Sequence, residues 1–194
     1  KKEFNDKKIK KATGVTKDKC NTNMINEGST WFWVNINDEN ELKYVTNKEL
    51  REKVIDLFSE NGINKIYIVI PSGYLQSTFK DFVIYANSKD IKVYNLIGDP
   101  TSIKEDGYEN TINVYYDEIK SFNDKMSKEG INAKVEGVHY DVEFYGNGNE
   151  DFGYGKWIGG QSEEAKNCKR RLAYINLAKA AYKYASKLGL EVEF

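Results

Sequence analysis

Between Val135 and Gly146 the chain sets ionisable side chains at alternate positions: His139, Asp141 and Glu143. The residues between them and just before, Val138, Tyr140 and Val142, are β-branched or aromatic, the mark of a β-strand. Side chains alternate across a strand, so the three polar residues share one face and the apolar set packs on the other. Asp141 and Glu143 then stand about 6–7 Å apart. Burying unpaired charge is costly, so two carboxylates in one column point to chemistry. Their mutual repulsion raises the pKa of one, and the neighbouring His139 modulates it. Glycoside cleavage asks for that pairing: a protonated carboxyl to assist the leaving oxygen, and a second group to stabilise positive charge at the anomeric carbon. Asp141 and Glu143 are the catalytic candidates, and His139 is a candidate for substrate binding. The competing readings are an ion-pair cluster with Lys or Arg, and a histidine that is simply hydrogen-bonded.

The elements that position this strand alternate in type. Trp31 to Asn37 reads as a first strand. Thr46-Asn47-Lys48-Glu49 matches a capping box, followed by Leu50, Val54, Leu57 and Phe58 at helical spacing and a stop at Gly62. Ile66 to Ile70 is a continuous apolar run ended by Pro71, which predicts a strand covered on both faces. Leu75, Phe79, Phe82, Val83 and Ala86 predict a second helix, and Ile91 to Ile97 a third strand closed by Gly98-Asp99-Pro100. A third helix around Ile119, Phe122 and Met126 precedes the His139 strand. A Gly-rich loop from Gly146 to Gly160 then leads to a long helix through Leu172, Ile175, Tyr182 and Leu188. Leu190 to Phe194 begins a fifth strand, in which Glu191 and Glu193 are either a further site column or a frayed end.

This β/α repeat predicts parallel strands joined by helical crossovers. The Gly-rich phosphate fingerprints of dinucleotide-binding sheets are missing, so the reading is an α/β fold of the (β/α) TIM-type barrel. Polar residues also gather at strand C-terminal ends, where barrel chemistry sits: Asn35 and Asn37, Asn95 and Asp99, Asp141 and Glu143. Eight β/α units need about 250 residues. The 194 residues here carry four units and a fifth strand, so the expectation is the N-terminal half of a barrel over residues 29–194. Residues 1–28, with eight lysines against three acids up to Lys19, are expected to be a poorly ordered leader.

The fourth strand resembles the signature of family 18 glycoside hydrolases, the chitinases and related endo-N-acetylglucosaminidases. Their strand reads Asp-Gly-x-Asp-x-Asp-x-Glu with an aromatic residue after it; here it is Glu136-Gly137-Val138-His139-Tyr140-Asp141-Val142-Glu143-Phe144-Tyr145. The resemblance implies that Glu143 is the proton donor and that Asp141 orients a substrate acetamido group. Glu136 and His139 replace the first two family aspartates, so the proton-shuttling column is incomplete or rebuilt. Other barrel glycosidases are similar more loosely, with their acid/base carboxylate at the end of strand four.

The substrate-binding candidates are His139, Tyr145, Trp33, Asn95 and Asp99. Trp31, Tyr74, Tyr154 and Trp157 join Trp33 and Tyr145 as aromatic surfaces on which a sugar ring could stack, although Trp31 and Trp33 read as core residues ahead of sugar platforms. The expected partner is carbohydrate. A net charge of −1 gives no reason to expect nucleic acid or an anionic membrane, and no apolar run reaches the roughly 20 residues of a membrane-spanning helix. No cofactor is expected. A metal held by His139, Asp141 and Glu143 is disfavoured, because three alternate residues of one strand do not easily surround an ion. Cys20 and Cys168 have no metal-ligand spacing; two thiols and one disulfide both remain open. The reading is an exported or cell-surface glycosidase-like barrel, its missing half supplied by a homodimer or a partner chain. Its alternative is a non-catalytic carbohydrate-binding or scaffold domain.

Overall fold

The computed structural model describes residues 28–103, 105–142 and 163–194. Five strands form one all-parallel sheet: β1 (Gly28–Phe32), β2 (Ile63–Ile68), β3 (Lys92–Ile97), β4 (Gly137–Tyr140) and β5 (Glu191–Glu193). Their order across the sheet is their order in the chain. A doubly wound sheet would reverse that order at a switch point; none occurs among the described residues. Five helices connect them: α1 (Glu39–Thr46), α2 (Lys48–Glu60), α3 (Lys80–Ser88), α4 (Glu105–Lys128) and α5 (Glu163–Leu188), with a 3₁₀ turn at Pro100–Ile103. The protein is thus an α/β fold built on a βα repeat. The expected leader falls almost wholly on residues 1–27, outside the described residues, while Gly28 already belongs to β1.

Local chemistry moves three of the expected boundaries. The first strand ends at Phe32 rather than Asn37, because Asn35 folds the chain into a turn: its side-chain oxygen accepts from Asn37 N and its carbonyl from Asp38 N, each at 3.0 Å. Asn35 and Asn37 are therefore turn residues. Asp38 then caps a helix that periodicity did not reveal, α1, by accepting from Asn40 N at 2.8 Å. Thr46 closes α1 instead of opening α2, and Asn47 is the cap of α2, accepting from Leu50 N at 3.1 Å. An asparagine side chain is at least as good an N-cap as threonine. The second expected helix starts only at Lys80, with Leu75 and Phe79 buried in the turns before it.

The two sheet faces differ completely. Ile66, Ile68 and Ile70, Val93 and Ile97, and Val138, Tyr140 and Val142 point towards the helices, where they join Ile55, Phe79, Phe82, Phe122, Met126 and Leu177 in one buried cluster. Burial of each such side chain contributes about 1.5–3 kcal/mol, which makes this the stabilising core. On the other face Tyr67, Tyr94, Leu96 and Val69 form a separate small cluster that includes no helical residue. Among the described residues, the apolar run of β2 is therefore covered by helices on one face only, and by neighbouring strand side chains on the other.

Asn95 requires a correction. Its parity with Val93 and Ile97 turns it to the helix face, where it is 3% exposed. There its amide accepts from Ile70 N at 2.9 Å and donates to Ile70 O at 3.2 Å. It satisfies backbone groups at the end of β2 and offers nothing to a substrate.

The sheet is curled. Three strand spacings separate β1 from β4 and β2 from β5, about 14 Å in a flat sheet. Yet the Trp31 and His139 ring centroids are 6.0 Å apart, and Lys65 Nζ lies 2.6 Å from Glu193 Oε1. Side chains standing upright on a flat sheet would not meet across that span, so the face that carries them is concave. Gly137 permits the approach of the last strand, since a Cβ there would lie 1.9 Å from the Glu191 carbonyl oxygen.

Candidate functional site

The concave face carries every charged and aromatic group that the strands direct away from the helices. Along β4, His139 and Asp141 occupy it while Val138, Tyr140 and Val142 are buried on the other side, as alternation requires. His139 lies in register with Leu96 on β3 and Glu193 on β5. Its ring stacks on Tyr67, with centroids 4.0 Å apart and planes 24° from parallel. Trp31 meets the same ring edge-on and packs against Tyr67 at 5.7 Å.

Glu193 is the centre of the polar network. Its Oε1 accepts from Lys65 Nζ at 2.6 Å, and its Oε2 accepts from Tyr67 Oη at 2.6 Å. The same Oε2 lies 3.7 Å from His139 Nδ1, which is buried and makes no hydrogen bond. Nearby, Tyr94 Oη donates a hydrogen bond to Glu191 Oε2, and the Lys65 ammonium stands 5.1 Å from the Tyr94 ring centroid. Burial pulls the His139 imidazole below its ordinary value, against the opposing charges of Glu193 and Asp141. Burial alone would raise the Glu193 carboxyl, but hydrogen bonds from Lys65 and Tyr67 hold it below the usual value. Burial, then the bond to Glu191, raises the Tyr94 phenol, so it stays a hydrogen-bond donor. At neutral pH the floor of this face therefore holds a neutral imidazole beside a paired carboxylate.

The remaining expected site residues divide into three groups. Asp141 is half-buried just past the end of β4, its backbone N donating to Ile97 O at 3.0 Å. Trp33 reaches towards it: a Cβ on Gly98 would lie 3.5 Å from Trp33 Cη2 and 3.6 Å from Asp141 O. Trp31 and Trp33 are 51% and 56% exposed, which corrects the reading of these two as core residues; among the described residues no helical side chain joins the cluster on this face. Asp99 is exposed at the end of β3 and its carbonyl accepts from Ser102 N at 3.0 Å. Tyr74 is exposed on the loop after β2, a loop held by Glu118, whose carboxylate accepts from Gly73 N and Leu75 N. Glu143, Tyr145, Tyr154 and Trp157 lie outside the described residues, as does Cys20.

Lys65 and Tyr67 escaped the sequence reading, and Glu193 was left undecided. The signal existed in Glu191-Val192-Glu193, which repeats the alternation of His139-Tyr140-Asp141. Lys65-Ile66-Tyr67 carries it too, masked by the apolar run that follows. Among the described residues no group of three His, Cys, Asp or Glu side chains is arranged to hold a metal ion, and no helix is long and apolar enough to cross a membrane. Comparison of the chain with family models, curated proteins and solved structures gives no match.

Proposed function

We propose that this chain is the N-terminal half of a (β/α)-barrel that acts on a polysaccharide or an N-acetylated glycan by carboxyl acid/base chemistry. The observation that carries the reading is the juxtaposition on one concave face of two half-exposed tryptophans, Trp31 and Trp33, with His139, Asp141 and Glu193. Exposed aromatic planes beside hydrogen-bonding carboxylates suit a ligand with apolar C–H faces and hydroxyl edges. Sequential strand order and inward curl favour a barrel over an open sheet. The likeness of the fourth strand to family 18 glycoside hydrolases supplies the roles: Glu143 protonates the leaving oxygen and Asp141 orients the acetamido group. Closure of the barrel by further strands, a second copy or another chain, and export from the cell, belong to the same proposal.

A second reading, a carbohydrate-binding barrel without turnover, draws on the two replaced family aspartates. One replacement, Glu136, is engaged by Lys134 at 2.7 Å; the other, His139, stacks on Tyr67. A panel of soluble and polymeric glycans separates the readings. Hydrolysis that Glu143→Gln abolishes while binding persists supports the enzyme. Binding without hydrolysis in the parent chain supports the second reading, and failure to bind any glycan overturns both. In the enzyme, Asp141→Asn lowers turnover on N-acetylated substrates far more than on non-acetylated ones; an equal loss refutes the acetamido role.

A further inference from the structure

Three groups compete for Glu193. Lys65 occupies Oε1, whereas Tyr67 Oη at 2.6 Å and His139 Nδ1 at 3.7 Å both address Oε2. His139 has no other acceptor for that nitrogen, and its ring is fixed in place by Tyr67 beneath it and Trp31 at its edge. A half-buried imidazole held by stacking, with its buried Nδ1 turned to a carboxylate just beyond hydrogen-bond range, needs only a small movement to form a charge-assisted bond. We propose that Glu193 is a positioning residue for His139, its Oε2 serving as the partner that receives the imidazole Nδ1–H. The role rests on the carbohydrate reading above, in which His139 stands two residues before Asp141 on one face and Glu143 follows in the sequence. Strand β5 thereby contributes to the site centred on the fourth strand.

The charged and titratable groups around His139 are few enough to assign their effects. Glu193 on β5 and Asp141 just past β4 favour the imidazolium, Lys65 on β2 opposes it, and Tyr67 competes for Oε2; the facing residue on β3, Leu96, is apolar. The chain has one histidine, so an NMR titration of imidazole protons reads this ring without ambiguity. Glu193→Gln keeps the shape and removes the charge, and the titration midpoint falls. Mere loosening of the site would expose the ring and move the midpoint the other way. An unchanged or raised midpoint in Glu193→Gln therefore overturns the proposal. Tyr67→Phe keeps the stacked ring but frees Oε2 for His139, so the midpoint rises; an unmoved or lowered midpoint there also overturns it. Tyr67→Phe decides alone if Glu193→Gln does not fold. Neither measurement uses a substrate. Titrations that fail while glycans bind sink this pairing only, and absence of glycan binding beside shifted titrations sinks only the carbohydrate reading.

Discussion

The two faces of the sheet are built from the same strands and obey opposite rules. On β4, Tyr140 turns to the helices, stacks on Phe194 at 4.9 Å and has its phenol pushed up to about 12 by burial. Its neighbour His139 turns to the concave face and meets a carboxylate, an ammonium and two aromatic rings. The helix face is held by apolar burial that needs no particular partner. The concave face is held by direction-dependent bonds among a few groups drawn from four strands. Stability should accordingly reside on the first face and ligand recognition on the second.

That division can be broken most directly with a pair of truncations. Phe82→Ala on the helix face should cost about 3–5 kcal/mol in urea unfolding. Trp31→Ala should cost less, about 2 kcal/mol, since about half of the residue is already in water, while weakening the proposed glycan binding. Equal losses of stability would erase the distinction. Gly137→Ala tests the closeness of β5: with a Cβ forced against the Glu191 carbonyl, we expect a loss of about 3 kcal/mol. Stability within about 0.5 kcal/mol of the parent would mean that the strand yields there without cost.

The smallest effect is a pH dependence. Because burial lowers the His139 value, the unfolded chain takes up a proton first as pH falls below the ordinary 6.5. Stability is then lost from that point down through the native value. Glu193, held below its ordinary 4.5, adds a second loss at still lower pH. His139→Gln should flatten the upper window and spare the lower one. Urea midpoints measured between pH 7.5 and 5.5 check this, and an unchanged slope in the variant would contradict the assignment.

The fold was legible where one residue type repeated at a fixed period. Val138, Tyr140 and Val142 against His139 and Asp141 gave both the strand and its two faces correctly. Asn95 was also legible, but was misjudged: position at a strand end suggested a site, while parity with Val93 and Ile97 indicated the core. Helix α1 was hidden because its cap, Asp38, precedes only a short apolar pattern in Leu42 and Val45. Glu193 was legible only as one of two alternatives, a site column or a frayed end, and its partners were not legible at all. Its partners Lys65 and Tyr67 lie about 130 residues away in the chain and across two intervening strands. Only curvature joins them, and curvature is a sum of small twists and one missing side chain at Gly137 rather than a property of any local pattern.

The Lys65–Glu193 link ties the second strand to the last like a stay across a bow. Both side chains retain some contact with water, 18% and 27% exposed, so acid or competing ions can slacken the tie. An occupant wider than the hollow would have to separate that ion pair before it could spread the strands. The width of the hollow is therefore set in part by an electrostatic contact, whereas the stiffness of the wall behind it comes from the hydrocarbon core.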